Sequence, residues 1–369
     1  MRLLQKECGK CLRHPFLWIV CITFGLFQFL SIYTYVGNAG MRKELRQMHM
    51  AVTDEETASP EYESAYADYK KTYGGMYDTL DMHKILEQKE KKSGYEPQGV
   101  WGSWIVRNYD RLQKRVEQIR KTGEGTYAFY PGNWYKLHTT LYGKLWKKLI
   151  LQTAVLMILS MLYLMDYERI YKTQDLVLAT TTGKKMMEKK MLAGTLCGLF
   201  YAGLLTVFTL LVFFAAVPFQ NLWHVPVAAC MVAEPRLQMM YPFVTFWRLE
   251  QWRYLLLALV VLVGLLGIVA AVTAAVQLFL QNSYFSFAVL GLLFMGAYLL
   301  AYVQMGNVWD LIRELFNPTV LYATSGGWFM ENDLRLSFAG NEFAVLFCSG
   351  TAAVCLMAVG KRRYHRLEV

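Results

Sequence analysis

From Met191 to Val217 the chain runs 27 residues without a single charged side chain. A helix rises about 1.5 Å per residue, and about 20 apolar residues carry it across the hydrocarbon of a bilayer. No water is present there to satisfy backbone N–H and C=O groups, so a run of this kind folds as a helix that pairs them internally. The same length rule marks Phe16 to about Val36, Leu149 to Met165, Tyr254 to Leu280, Phe285 to Gln304 and Phe343 to Gly360. The expected fold is therefore an all-α integral membrane protein with six transmembrane helices. A composition that is 55% hydrophobic and 15% aromatic agrees with it.

Lys and Arg near the span ends set the expected orientation. Arg2, Lys6, Lys10 and Arg13 precede the first span, and Lys361, Arg362, Arg363 and Arg366 follow the sixth. Between the second and third spans lie Arg169, Lys172, Lys184, Lys185, Lys189 and Lys190, against Asp166, Glu168, Asp175 and Glu188. The loops 218–253 and 305–342 carry only Arg236, Arg248, Arg253, Arg313 and Arg335. Both termini and the 166–190 loop are thus expected in the cytoplasm, with the chain in the cell membrane. The segment 37–148 holds 19 Lys and Arg, but loops of that length translocate largely regardless of charge. Topology accounts for most of the net charge of +10, and nucleic acid is not an expected partner.

The head, 1–15, alternates Leu3, Leu4 and Leu12 with its cations and ends at Pro15. It reads as a short helix on the membrane surface or as a plain positive-inside anchor. Its apolar continuation is longer than a signal h-region, and no small-residue cleavage site follows. Cys8 and Cys11 have CxxC spacing without a second pair or a His cluster to complete a metal site.

The segment 37–148 is expected to be a helical extracellular domain without disulfides, since it has no cysteine. Helices are expected over 61–73 and 76–92, parted by Gly74-Gly75, and over 103–121, where Ile105, Tyr109, Leu112, Val116 and Ile119 recur at helical spacing. Tyr62, Tyr66, Tyr69, Tyr73 and Tyr77 share one helical face, as a ligand-contacting stripe or a packing seam. Trp134, Tyr135, Tyr142 and Trp146 read as an aromatic belt at the outer interface. In the loop 305–342, Val308, Leu311, Ile312 and Leu315 define a short amphipathic helix, ended by Asn317-Pro318. The apolar stretch 319–330 after it reads as re-entrant. Gln281, Asn282 and Ser283 leave only a tight turn between the fourth and fifth spans.

No catalytic motif is present. Thr182-Gly183-Lys184-Lys185 lacks the upstream glycine and the Ser/Thr of a phosphate-binding loop, and no HExxH or GxSxG occurs. No Asp, Glu, Lys or Arg lies at mid-depth in a span, whereas ion-coupled transporters keep such groups on their pathway. Gln28, Thr206, Thr209, Thr273 and Gln277 are the side chains left to line a polar path.

The segment YERIYKTQDLVLATTTGKKMMEKK, within an arrangement of six spans, resembles the permease subunits of ABC-2 type transporters, in the branch with a large outside domain after the first span. In that family a glutamate precedes a helix that ends in a small-residue and basic turn before the third span. Glu168 matches the glutamate, Thr181-Thr182-Gly183-Lys184-Lys185 the turn, and Lys190 the lysine before the span. Many relatives have Ser-Pro or Thr-Pro where this chain has Thr181-Thr182. The resemblance implies a permease subunit, not itself an enzyme, that forms an export path with a second copy or a similar permease. It would bind no cofactor of its own, ATP being held by separate ABC ATPase subunits. Their coupling contact would use Glu168, Arg169, Tyr171, Lys172, Thr181, Thr182, Gly183 and Lys184. The lack of buried charge and the outside domain lean towards an amphiphilic or peptide-like substrate. The rival from another class is a non-transporting sensor or scaffold with an extracellular receptor domain.

The topology has a direct check. In a background without the seven native cysteines, Lys84→Cys and Ala323→Cys should react with an impermeant thiol reagent in intact cells, and Lys185→Cys should not. Labelling at position 185 would reverse the orientation.

Overall fold

The computed structural model describes residues 2–37, 64, 67, 75–93, 99–124, 135–173, 183–217, 219, 222–229, 231–234, 239–303, 308–331 and 338–367. Among these residues six helices are long and apolar enough to cross a membrane: Pro15–Val36, Thr139–Met165, Met186–Ala216, Gln251–Leu280, Ser283–Leu300 and Asn341–Tyr364. The third belongs to a longer helix, Gly183–Ala216. Its 34 residues reach about 50 Å, well beyond a hydrocarbon core of about 30 Å.

The second span is central and packs against the first, third, fourth and fifth, while the sixth lies along the fourth. Small residues allow the closest approach. Gly194 and Gly198, one turn apart on the third span, face the second, and a Cβ at either would come within 3.0 Å of Met161 Cα or 3.1 Å of Met157 Cα. The Gly-x-x-x-Gly pattern therefore serves a contact within the chain. Gln28 of the first span donates to Gln152 of the second at 2.7 Å, a buried bond. Thr206 and Thr209 donate to carbonyls in their own helix.

The second span begins at Thr139, ten residues before the first residue that apolar content alone marks, and takes in three lysines. Each finds a partner near the helix start. Lys148 donates to Ser31 Oγ at 3.0 Å, Lys147 reaches the Ala323 carbonyl at 3.4 Å, and Lys144 lies over the Tyr35 ring. Residues Thr139–Leu145 form a π-helical stretch. Gly326 packs on it so tightly that a Cβ there would sit 2.9 Å from Gly143 Cα.

The N-terminal helix, the end of the sixth span and the described residues of the 166–190 segment, 166–173 and 183–190, share one face of the bundle. Lys361, beyond the sixth span, pairs with Glu188 before the third at 2.6 Å. The fourth and fifth spans turn at this face through Gln281, in the left-handed region, and Asn282, whose side chain caps the fifth helix by accepting from Phe285 N–H.

On the opposite face the connecting segments form a joint layer. The helix Gly99–Thr122 buries Ile105, Tyr109, Leu112 and Val116 against Met82 and Ile85 of Met82–Ser93 and against Val244, and Ile119 on the same face is also buried. Arg115 pairs bidentately with Glu124, at 3.2 and 2.5 Å, and donates to the Thr245 carbonyl. Tyr77 donates to the carbonyls of Ala228 and Phe243. Glu331, buried, pairs with Lys89 and accepts from Tyr109 at 3.1 Å. Burial pushes the Tyr109 hydroxyl well above its usual range, which keeps it a donor. The described part of the segment between the first two spans is thus joined to residues of the other connections.

Three sequence expectations change. Tyr142 and Trp146 are buried in the core, Tyr142 against Tyr254 at 4.6 Å between ring centroids, so they form no belt towards lipid. The loop after the third span contains an antiparallel hairpin, Met231–Glu234 with Met239–Pro242, so the fold is not strictly all-α. The helix expected over 76–92 breaks at Leu80-Asp81, where Asp81 accepts from the N–H groups of His83 and Lys84. The 319–330 stretch is buried as Trp328, Phe329 and Met330, with Trp328 Nε1 donating to the Leu321 carbonyl and Phe329 N–H to Glu342. The expected helix over 61–73, with Tyr62, Tyr66, Tyr69 and Tyr73, lies outside the described residues apart from Ser64 and Ala67, and Cys230 lies outside them.

The close approach of the second and third spans predicts the effect of small changes. Gly194→Ala and Gly198→Ala should each destabilise the protein by about 1–3 kcal/mol. Gly203→Ala, with open space at its Cβ, should be neutral or slightly stabilising. Thermal unfolding midpoints in detergent measure all three.

Candidate functional site

The N-terminal helix Arg2–Leu12 places Leu4, Glu7, Cys8 and Cys11 on one face by the i, i+3, i+4, i+7 rule, and that face packs on the second and third spans. It is not a free surface helix: Glu7 and Cys11 are fully buried. Lys10, one turn beyond Glu7, donates to Glu7 Oε1 at 2.6 Å and to Glu168 Oε1 at 3.2 Å. Glu168 belongs to the short helix Tyr167–Ile170 that continues the second span. Its other oxygen meets the ammonium of Lys190, which is buried near the start of the third span. Two carboxylates and two ammonium groups thus alternate across three chain segments. Each bears a charge whose isolated burial would be strongly unfavourable, so each depends on the others.

The chain leaves this network by a tight turn. Thr173 N–H donates to the Glu168 carbonyl at 2.8 Å and Lys172 N–H to the Arg169 carbonyl at 3.1 Å. Lys172 has φ of 55°, a left-handed conformation unusual for a residue with a Cβ. The turn exposes Arg169, Tyr171 and Lys172 while Glu168 points inward. Of the other expected interface residues, Gly183 opens the long third helix and Lys184 lies in its first turn. Thr181 and Thr182 are outside the described residues.

Asp166, two residues before Glu168, accepts weakly from the Ser283 N–H at 3.4 Å, and Ser283 Oγ donates to the Leu162 carbonyl at 3.3 Å. The turn between the fourth and fifth spans is thereby joined to the same base. Cys8 lies beside Cys197 of the third span, whose thiol faces the Cys8 carbonyl at 3.8 Å. Burial first, and then the neighbouring Cys197 and Glu7, push the Cys8 thiol up to about 11. A thiol so shifted is a poor nucleophile and a poor metal ligand at neutral pH.

Lys10 and Glu7 were not marked by the sequence reading. Glu7 is the sole acid in a basic head, on the same helical face as Leu4 and Cys11, and that placement was the available signal. Comparison with known proteins returned no matching family, no matching curated protein and no matching solved structure.

Removing Glu168 leaves two buried or half-buried ammonium groups without their shared carboxylate. Glu168→Ala should therefore cost about 3–5 kcal/mol of stability. Arg169→Ala, at an exposed position of the same turn, should change it by less than about 0.5 kcal/mol. Unfolding by a denaturing detergent in mixed micelles separates the two outcomes.

Proposed function

We propose that this chain is the membrane-spanning permease subunit of an ATP-driven exporter of the ABC-2 type. It sits in the plasma membrane with both termini cytoplasmic and the segment between the first two spans outside. It forms a translocation path with a second copy or a similar permease and binds no nucleotide itself. Separate ABC ATPase subunits dock on the 166–190 segment, and the cargo is amphiphilic or peptide-like.

The observation that carries this reading is the mounting of the exposed turn. Arg169, Tyr171 and Lys172 project from a turn whose neighbour, Glu168, is ion-paired to the N-terminal helix and to the third span. A motor transmits force only through an element that does not yield locally. Buried, mutually dependent charges supply that stiffness, and the exposed polar and aromatic side chains supply a contact surface. In this division of roles Glu168 holds the turn and Arg169, Tyr171 and Lys172 meet the ATPase.

The test begins with the tagged full-length protein purified from membranes in mild detergent. It should bring down an ATPase with a phosphate-binding loop and no spans, and ATP hydrolysis by the complex should support vectorial export. Arg169→Glu with Tyr171→Ala should reduce export about tenfold or more with little change in the unfolding midpoint. Full export with both substitutions would remove this turn as the coupling element. No associated ATPase, together with signalling that is insensitive to ATP, would favour the sensor or scaffold.

A further inference from the structure

Beside the ion network, the N-terminal helix and the end of the second span enclose an open cavity of about 900 Å³. Lys6 and Lys10, one turn apart on the helix, and Arg13, in the turn just past its end, line one side. Tyr163, Tyr167 and Tyr171 line the other at successive four-residue steps, with ring centroids 5.7 and 4.6 Å apart. Among the described residues no carboxylate lines the space.

The charges of this cavity are not all used within the chain. Lys10 is engaged by Glu7 and Glu168 and lies over the Tyr167 ring at 4.4 Å. Lys6 and Arg13 are exposed and have no ion-pair partner among the described residues. His14, also in the lining, packs tilted against Tyr163 at 4.3 Å between ring centroids. An exposed guanidinium and an exposed ammonium lining one cavity beside phenols make a site for a tetrahedral oxyanion.

Its position selects the source of that anion. Pro15 lines the cavity and opens the first span, and Tyr163 stands in the last turns of the second, so the cavity lies at the depth of lipid headgroups. Directly beyond Pro15 the side chains of Phe16, Trp18, Ile19 and Ile22 are exposed, an apolar track that runs from the cavity along the first span. We propose that the cavity binds the phosphate headgroup of an anionic phospholipid, with its acyl chains along this track. Arg13 and Lys6 bind the phosphate, and Tyr163 and Tyr167 shield it from water. The site does not depend on the transport reading, since any protein with these spans would present it to the bilayer.

The full-length protein in a neutral detergent, titrated with phosphatidylglycerol, phosphatidylcholine or inorganic phosphate, provides the test, read by native mass spectrometry and by the thermal midpoint. Phosphatidylglycerol should bind and raise the midpoint, and the other two should do neither. Lys6→Ala with Arg13→Ala should weaken phosphatidylglycerol binding by about tenfold or more. Arg362→Ala with Arg366→Ala, which removes equal charge from the C-terminal end, should leave it within about twofold. Equal binding of the two lipids, or equal loss in the two double variants, would overturn the proposal in favour of diffuse attraction. Displacement of phosphatidylglycerol by millimolar inorganic phosphate would overturn the lipid assignment in favour of a free anion.

Discussion

The carboxylate of Glu168 is the point on which the terminal face of this protein depends. It accepts from Lys10 of the N-terminal helix and meets Lys190 of the third span, while its own backbone carbonyl closes the turn through Thr173. A charge buried among helices is unfavourable unless fully compensated. The compensation requires three segments, far apart in sequence, to be in place together. The head, the end of the second span and the start of the third are therefore fixed relative to one another by one set of charges.

On the opposite face a second buried acid has a similar role. Glu331 receives Lys89 and Tyr109 from the segment between the first two spans. That contact, with the Tyr77 hydroxyl on the carbonyls of Ala228 and Phe243, draws three connecting segments into one layer. Between the faces the second span carries the mechanical continuity. Its start is gripped by Gly326 of the fifth-to-sixth connection, and its end carries Glu168. A rotation or tilt of this one helix would be felt at both faces.

The six spans were legible because the rule that identifies them is a property of the solvent: a bilayer leaves a long apolar run no other fold. The helix Gly99–Thr122 was legible for the related reason that its apolar face has the helical period. The network at Glu168 was not, because Glu168 and Lys10 are separated by 158 residues and no local pattern marks their meeting. The family resemblance places Glu168 among the residues of an ATPase contact, and in the fold its carboxylate is paired within the chain, with Lys10 and Lys190. Tyr142 and Trp146 misled for a different reason: aromatic residues at a span end fit both a lipid interface and a protein core, and only the neighbouring segments decide. The hairpin at 231–242 rests on two four-residue strands, too short for an alternating pattern to stand out.

The central claim is that Glu168 and Lys190 are energetically one unit, and a double-mutant cycle measures it most directly. The single variants Glu168→Gln and Lys190→Met and the double variant would be unfolded in mixed micelles at low and high salt. The account predicts a coupling of about 2 kcal/mol that persists at high salt, because a buried pair is poorly screened. Additive single effects, or a coupling that vanishes with salt, would contradict it and leave the terminal face held by apolar packing alone.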